Sequence, residues 1–393
     1  MDFGFTDDEI AFDRQVVEFL ALEQQRADAC RIFQPQRDSG SQLADLPERK
    51  AFMKRLAAKG WLGLSWPTEY GGYEHQGPFE YLLNERLSQS GAPLIGKGVG
   101  MIGRTLMKYG SEKLKKEFLP KIIAAEVDFA LGYSEPEAGS DLGALKLRAD
   151  RTDGGWILHG QKRFSTSAHF AEWYWVAART DPRGPKHHGI TLFLVELNDP
   201  ALIIHEQKTM GDERTNEVFF DHVFVPNNHV VGEVDQGWTY VCEALDYERF
   251  TIYTVGALEA KFSRIVGAVR AGKGRLDKND PLIRHGVAEL ASDLEMARLA
   301  ALRVVDRSLK GATPTVEASI CKLTLTRLHQ KMANWMMDNL GAVAVLREGE
   351  PDAVDDGAWE HSYRYSVLET IGGGATEIQK NILARRALKL SAQ

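Results

Sequence analysis

The spacing of hydrophobic and polar residues changes twice along the chain. In roughly the first 125 residues, apolar positions recur at helical spacing. Thr6 followed by Glu9 forms a capping box, which predicts a helix from Thr6 to about Gln25. Further helices are predicted over 47–59, 78–90 and 97–125, the last with a break near Gly110. The first third of the chain is therefore predicted to be mostly helical.

From about residue 129 the pattern is typical of β-strands. Short runs rich in β-branched and aromatic residues are separated by Gly, Pro, Asp and Asn. The predicted strands are 156–164, 173–180, 189–197, 202–208 and 217–225. In the last strand, strict alternation places Val218, Phe220, His222 and Phe224 on one face and the residues between them on the other.

From Gly237 onward the pattern is helical again, in stretches long enough to predict a helix bundle. These stretches are 238–271, 281–310, 315–346 and 359–388. The predicted fold is mainly α with a central β domain. The expected domains are 1–127 (helical), 128–235 (β) and 236–393 (helical bundle).

Composition and charge exclude several classes of protein. The 393 residues are 44% hydrophobic and 26% charged, with a net charge of −7, which argues against binding to nucleic acid or to anionic membranes. No run of about 18 apolar residues predicts a membrane span. The acidic N-terminus lacks the basic start of a signal peptide. Three scattered cysteines suit a reducing cytoplasm, where we expect the protein to reside.

Two sequence patterns have the spacing of known sites without the expected surroundings. Gly98, Gly100 and Gly103 satisfy the dinucleotide-binding spacing G-x-G-x-x-G, which needs a strand before it. Because the surroundings are predicted to be helical, we interpret these glycines as small residues that permit close helix packing. His187 and His188 have no partner at metal-ligand spacing. No metal site is therefore predicted.

Residues 130–142 contain polar groups that suit a cofactor. Ser134, Ser140 and the backbone amides around Gly139 could hold the polar edge of a cofactor and a phosphate. Composition alone favours a different interpretation, in which the segment is a turn that joins two domains.

Five segments resemble the acyl-CoA dehydrogenase family in order and in spacing. They are YSEPEAGSDLGALKLRA (133–149), HGQKRFSTSAHFAEWYWVAART (159–180), NEVFFDHVFVPNNHVVGE (216–233), LDYERF (245–250) and GGGATEIQKNILARRAL (372–388). The resemblance covers essentially the whole chain. It implies FAD as cofactor, an N-terminal helical domain, a middle β-barrel or sandwich, a C-terminal four-helix bundle, and α,β-desaturation of an acyl-CoA thioester.

The resemblance also implies where FAD binds. The expected FAD contacts are Leu131, Tyr133, Ser134, Gly139, Ser140, Phe164, Ser165, Thr166, Thr376 and Glu377. Phe164-Ser165-Thr166 is similar to the family's Trp-x-Thr, in which the aromatic residue covers the flavin ring and the threonine contacts the flavin near N5 or O4. Without the resemblance, Phe164 would be interpreted as an ordinary core aromatic residue.

The catalytic carboxylate is missing from one of its two positions in the family. In many members it is the Glu of an E-G-T triplet, and alignment places Gly373 there. Glycine has no side chain to act as a base. The backbone N–H of Gly373 can still donate to the thioester oxygen, because that role needs no side chain.

The second position for the base lies in the predicted helix 238–271. Val241, Leu245, Ile252, Val255, Glu259, Phe262 and Val266 are expected on one apolar stripe that includes Glu248. A carboxylate in such a stripe is either paired with a cation, for which Arg249 is available, or a base with a raised pKa. Periodicity alone leaves both open.

The resemblance favours Glu248 as the base. In the isovaleryl and long-chain branches of the family, the base is the Glu of a matching E-R pair on this helix. Asp246, Arg249, Ser140 and Gly374 are then expected to contact the acyl-CoA.

Two family motifs are absent, which bears on assembly. The Arg-x-x-Phe-Gly sequence that reaches FAD in a neighbouring subunit is replaced by RLDKNDPLIRHG (275–286). DNLGAVAVL (338–346) stands in place of Gln-x-x-Gly-Gly-x-Gly. Steroid side-chain dehydrogenases with two related subunits are similar in this respect, so either a homo-oligomer or a heterotetramer is expected.

The expected activity is thus dehydrogenation of an acyl-CoA, with an electron-transfer flavoprotein as acceptor. The absent Glu side chain at 373 favours bulky, branched or steroid side-chain acyl groups. One alternative is different flavin chemistry on a CoA thioester, by a desulfinase, reductase or oxidase. Another is a non-catalytic partner subunit of a heteromeric dehydrogenase.

Overall fold

The chain forms a helical region, a β-sheet region and a second helical region in sequence order in the computed structural model. The structure describes residues 4–40, 42–75, 78–252 and 254–390, and of residues 247–252 it describes the backbone alone. The predicted fold class is confirmed. The exact domain boundaries given above stay a prediction.

The N-terminal region begins with the capped helix that the sequence predicts. The Thr6 N–H donates to Glu9 Oε2 at 2.7 Å and the Thr6 hydroxyl accepts from the Glu9 N–H, which completes the capping box. The helices are α1 (Asp7–Glu23), α2 (Ala29–Ile32), α3 (Pro47–Ala58), α4 (Pro78–Ser90), α5 (Gly103–Tyr109) and α6 (Glu112–Ile123). Among these, the single-turn α2 was not predicted, because it is too short to show a period.

The glycines of the G-x-G-x-x-G pattern serve helix packing. Gly98–Ile102 form a π-helical turn that continues directly into α5. A Cβ on Gly103 would lie 2.2 Å from the ring of the fully buried Trp66. Only glycine lets the helix approach this ring so closely, which confirms the packing interpretation.

The central region is a sheet of eight strands within the described residues. They are β1 (Phe129–Gly132), β2 (Arg148–Thr152), β3 (Gly155–Lys162), β4 (Trp173–Arg179), β5 (Ile190–Glu196), β6 (Leu202–Lys208), β7 (Arg214–Pro226) and β8 (Val230–Val231). Their order is β6-β7-β3-β2-β4-β5-β8, with β1 paired to β4 off this path. Pairing is antiparallel except for β1 and β2 with β4. The sequence missed β1, β2 and β8, which are five residues or shorter.

The predicted alternation along β7 is wrong after Phe220. Val218 and Phe220 are buried, but the next buried residues are Val223 and Val225, so the phase shifts by one residue. The register between β3 and β7 skips at the same place, which is a β-bulge. As a result, Phe224 is 48% exposed.

The C-terminal region is a bundle of longer helices. They are α7 (Gly237–Ile252), α8 (Val255–Ala271), α9 (Pro281–Leu309), α10 (Thr315–Leu340), α11 (Ala358–Glu369) and α12 (Thr376–Ile382). Helix α10 packs against α7, α8, α9, α11 and α12 and is therefore the centre of the bundle. None of the helices in the described ranges is long and apolar enough to span a membrane.

The prediction of one continuous helix over 238–271 is wrong. Thr254 has φ −116° and ψ 149°, an extended conformation that separates α7 from α8. The break shifts the helical phase, so the predicted stripe does not continue through Glu259, Phe262 and Val266. The buried residues of α8 are Val255, Gly256, Leu258, Lys261, Ile265, Ala268 and Val269.

We predict opposite effects for two Gly→Ala substitutions in helices. Gly103→Ala places a methyl group against the Trp66 ring and should lower the free energy of unfolding by about 1–3 kcal/mol. Gly267→Ala in α8 meets no atom within 4 Å and should raise it by about 0.5–1 kcal/mol. Urea unfolding followed by circular dichroism measures both changes. Equal stability of the two variants would contradict the packing role of Gly103.

Candidate functional site

A buried ion pair fixes the segment that was predicted to line the flavin. Lys162, at the end of β3, is fully buried, and its Nζ donates to Glu135 at 2.8 Å and to the Tyr133 carbonyl at 3.0 Å. Burial lowers the pKa of Lys162 to about 8, against the opposing effect of Glu135. Glu135 also accepts the N–H groups of Lys146 and Leu147. The segment is thus held at both ends by one carboxylate.

The side chains of this segment differ in what they present. The Tyr133 hydroxyl is buried and accepts from Trp175 Nε1 at 2.9 Å, so it serves the core. Leu131 and Ser134 are half-buried, whereas Gly139 and Ser140 are exposed. Tyr133 can therefore contact the cofactor through its backbone. Leu131, Ser134, Gly139 and Ser140 are accessible to a cofactor.

The turn after β3 presents an aromatic ring to the surface. Phe164 has φ +56° and its side chain is 55% exposed, although aromatic residues rarely adopt this left-handed conformation. Ser165 fixes the turn to β7, because its N–H donates to the Asn216 carbonyl and its own carbonyl accepts from Asn216 Nδ2, both at 2.9 Å. The Ser165 hydroxyl is buried against Tyr174. Thr166 is half-buried beside Thr215.

These features fit a flavin. The exposed Phe164 ring gives a face for a planar heterocycle, and the Thr166 hydroxyl lies two residues away on the same turn. The Ser165 hydroxyl, which was also predicted to contact FAD, points into the protein. Phe164 and Thr166 are therefore the side chains of this turn that can contact a cofactor.

The glycine loop between α11 and α12 is held by a buried lysine. Lys322 on α10 is 2% exposed, and its Nζ donates to the carbonyls of Gly372, at 2.5 Å, and Gly374. Gln379 Nε2 donates to the carbonyls of Gly373 and Gly374 at 3.3 and 3.1 Å. Gly373 and Gly374 have φ of +62° and +94°. Since all three carbonyls are bound, the peptide planes of this loop are fixed.

The loop closes onto the start of α12. The N–H of Thr376 donates to the Thr370 carbonyl at 2.9 Å, and its hydroxyl lies 3.4 Å from the same oxygen. Glu377 is exposed on the first turn of α12. Glu369, at the end of α11, is paired with His329. Neither carboxylate takes the place of the side chain missing at Gly373.

Helix α10 joins the two regions that carry the predicted chemistry. Thr315 Oγ1 donates to Asp246 Oδ2 at 2.9 Å, two residues before Glu248 on α7. Lys322 lies seven positions further along α10, on the same face and about 10 Å away. The side chains of Glu248 and Arg249 lie outside the described residues. One face of α10 therefore contacts both α7 and the glycine loop.

A charged network lies behind the glycine loop. Lys261 on α8, 5% exposed, donates to Asp38 and, at 2.6 Å, to Ser362. His329 on α10 lies between Asp38, at 3.2 Å, and Glu369. These charges border a cavity of about 90 Å³ between α4, α8 and α10.

The network shifts the pKa values of its members. Burial alone would raise the pKa of Asp38, but Lys261 and His329 hold it well below its usual range. Burial lowers the pKa of Lys261. For His329, burial is outweighed by the carboxylates of Glu369 and Asp38, which raise its pKa to about 9. His329 is therefore protonated at neutral pH.

Sequence reasoning missed the buried lysines. Lys162, Lys261 and Lys322 occur where the hydrophobic period predicts apolar or surface positions. No local signal shows which partner each lysine binds, because the partners lie 27 to 223 residues away.

Three family profiles match the chain. "Acyl-CoA dehydrogenase, N-terminal domain" matches residues 6–126, the middle domain matches 130–223, and the C-terminal domain matches 235–388. The chain is 32% identical over 357 residues to acyl-CoA dehydrogenase IpdE1 of Mycolicibacterium smegmatis, covering 87% of this chain and 88% of that protein. It is 30% identical over 346 residues to acyl-CoA dehydrogenase FadE26 of Mycobacterium tuberculosis, covering 86% of each.

Solved structures agree with the sequence matches. The Tcur3481-Tcur3483 steroid ACAD superimposes with a TM-score of 0.89 at 28% identity, with all of both chains covered. The ChsE4-ChsE5 complex from Mycobacterium tuberculosis gives 0.86 at 26% identity, again with both chains fully covered.

We predict that His329 makes the stability depend on pH. Its pKa rises from about 6.5 in the unfolded chain to about 9 in the folded one, so its stabilising effect is complete below pH 6.5 and is lost as the pH rises through 9. The melting temperature should therefore fall between pH 6.5 and 9. In His329→Gln, the melting temperature should depend less on pH over this range. Parallel curves for the wild type and His329→Gln would contradict the prediction.

Proposed function

The chain belongs to the acyl-CoA dehydrogenase family, and we propose that it oxidises a saturated acyl-CoA to the trans-2,3-enoyl-CoA. The observation that carries the proposal is the contact of one face of α10 with both α7 and the glycine loop. This contact supports a site in which two segments that lie 125 residues apart in sequence, around Glu248 and Gly373, act on one substrate.

FAD is the cofactor of this family and of this chain. When bound, it supplies an acceptor at N5 for the hydride that leaves the substrate Cβ. The Phe164 ring, which is exposed, would cover one face of the flavin, and the half-buried Thr166 and Ser134 would donate to its polar edge. Gly139 and Ser140 lie in an exposed loop whose amides can reach the pyrophosphate. Thr376 and Glu377 are assigned to the nucleotide side.

Glu248 is the proposed base. A proton α to a thioester is weakly acidic, so its removal needs a positioned carboxylate and a donor on the thioester oxygen. Gly373 cannot supply the carboxylate, Glu369 is paired with His329, and Glu377 is exposed. Glu248 lies on α7, one half-turn after the Asp246 that Thr315 anchors to α10.

The glycine loop supplies the proposed electrophilic contact. The N–H of Gly373 donates to the thioester oxygen and stabilises the negative charge that develops there as the α-proton leaves. Its orientation depends on the bound carbonyls of Gly372, Gly373 and Gly374. The residues proposed to contact the acyl-CoA are Asp246, Arg249, Ser140 and Gly374.

The proposed substrate carries a bulky or branched acyl group, such as a steroid side chain. Replacement of a glutamate by Gly373 leaves more room beside the substrate Cα. One similar structure is named a steroid ACAD, which supports this class. An electron-transfer flavoprotein is the proposed acceptor.

A second related chain is a proposed partner. Two of the structural neighbours are named for two components each, and this chain lacks the motifs that reach FAD in a neighbouring subunit. If the chain were a non-catalytic subunit, the purified protein would be colourless. Flavin bound but not bleached by any saturated acyl-CoA would instead favour desulfinase, reductase or oxidase chemistry.

We predict that Glu248→Gln slows anaerobic flavin reduction by a bleaching acyl-CoA about 10²–10⁴-fold, because the amide cannot accept the α-proton. Stopped-flow absorbance at the flavin band measures the rate. Glu243→Gln is the matched control on α7, since Glu243 is paired with Lys108 and Tyr109, and it should reduce at nearly the wild-type rate. Near-wild-type reduction by Glu248→Gln would refute the assigned base.

We predict that Lys322→Met lowers kcat more than it raises KM. The methionine cannot donate to the loop carbonyls, so the Gly373 amide loses its fixed orientation, and a misplacement of about 1 Å costs about 10²-fold in rate. Lys322→Arg keeps donors and should restore part of kcat. Lys331→Met is the control, because Lys331 also lies on α10 and forms an ion pair with Asp293 of α9. Unchanged kcat in folded Lys322→Met would rule out this role.

A further inference from the structure

A β-bulge brings three potential metal ligands together on the central sheet. Leu158 pairs with Val223 and Gly160 pairs with Phe220, so His159 of β3 faces two residues of β7, Asp221 and His222. His222 has φ +59°, a left-handed conformation that histidine adopts more readily than most residues. A regular strand would direct Asp221 and His222 to opposite faces, and the bulge removes this alternation.

The three side chains converge in space. One ligand atom from each of His159, Asp221 and His222 lies within 4.8 Å of the others. His222 Nδ1 lies 2.8 Å from Asp221 Oδ1, and the imidazole rings of His159 and His222 have centroids 4.7 Å apart. All three side chains are exposed. Among the described parts of the chain, this is the only group of three such residues with this geometry.

We propose that His159, Asp221 and His222 bind a divalent transition-metal ion of the Zn²⁺ class. Two imidazoles and one carboxylate suit Zn²⁺, Co²⁺, Ni²⁺ or Cu²⁺, whereas Mg²⁺ and Ca²⁺ prefer oxygen ligands alone. Ligand atoms about 2.1 Å from a tetrahedral ion lie about 3.4 Å from one another. The ligand atoms lie within 4.8 Å of one another, so rotation of the exposed side chains would bring them to this spacing, with water in the fourth position.

The site is separate from the proposed flavin site. His159 lies on β3, whereas Phe164 lies five residues further along the chain, on the turn that follows this strand. A metal there links β3 to β7. The turn after β3 carries Ser165, and β7 carries its partner Asn216. Binding should therefore stabilise the sheet without entering the reaction, and the proposal does not depend on the proposed function.

The test is Zn²⁺ binding to the FAD-loaded, EDTA-treated chain with any affinity tag removed. Isothermal titration should show one ion per chain, and Co²⁺ should give the visible absorption of a bound, four-coordinate ion. His159→Gln, Asp221→Asn and His222→Asn should each weaken Zn²⁺ binding at least about 10-fold, since even outer ligands of a metal contribute that much. Asparagine tolerates the left-handed backbone at position 222.

His205→Gln is the matched control, because His205 is an exposed histidine on the adjacent β6 whose ring lies near Phe219 instead. It should bind Zn²⁺ like the wild type. The exposed thiols of Cys30 and Cys242 are alternative metal ligands. The three variants therefore decide whether Zn²⁺ binds at His159, Asp221 and His222 or at a thiol. Binding only at millimolar Zn²⁺, equal binding by all variants, or loss in one of the three alone would overturn the three-ligand site.

Discussion

The hydrogen bonds from Lys322 to the carbonyls of Gly372 and Gly374 are the constraint on which the proposed catalytic site depends. A loop of three glycines has no side chains to pack and more backbone freedom than any other sequence, so its conformation must be imposed from outside. A buried ammonium group needs acceptors, because removing it from water costs several kcal/mol. Lys322 fixes the loop, and the loop carbonyls supply the acceptors that the buried ammonium group needs. On α10, Lys322 lies about two turns from Thr315, the residue that binds Asp246 of α7.

The same physical device recurs at two other places. Lys162 fixes the predicted flavin segment through Glu135 and the Tyr133 carbonyl, and Lys261 joins the loop after α2 to the C-terminal bundle through Asp38. Lysine is rarely buried unless it is paired, so each of these positions marks a segment that hydrophobic packing alone does not hold. The three lysines fasten irregular backbone to regular helices and strands, which is what a site built from loops requires.

The sequence predicted the order of helical and β regions because long periodic segments dominate both. It predicted the Thr6 cap because the signal for a capping box is local. It failed at the break before α8 and at the bulge in β7, because each changes the phase of a pattern that was extrapolated across it. The partners of Lys162, Lys261 and Lys322 are set by tertiary contacts and leave no trace in spacing. Gly373 became a candidate through the family resemblance, which also favoured one of the two interpretations that periodicity left open for Glu248.

The central claim is that α7 and the glycine loop act on the same substrate, α7 at the Cα and the glycine loop at the thioester oxygen. An experimental structure of the FAD-loaded protein with a bound, unreactive analogue of an acyl-CoA that bleaches the flavin tests it most directly. We expect a Glu248 oxygen within reach of the substrate Cα, at about 3 Å, and the Gly373 N–H on the thioester oxygen at hydrogen-bond distance. A different carboxylate at Cα, or a thioester oxygen that faces away from Gly373, would contradict the claim.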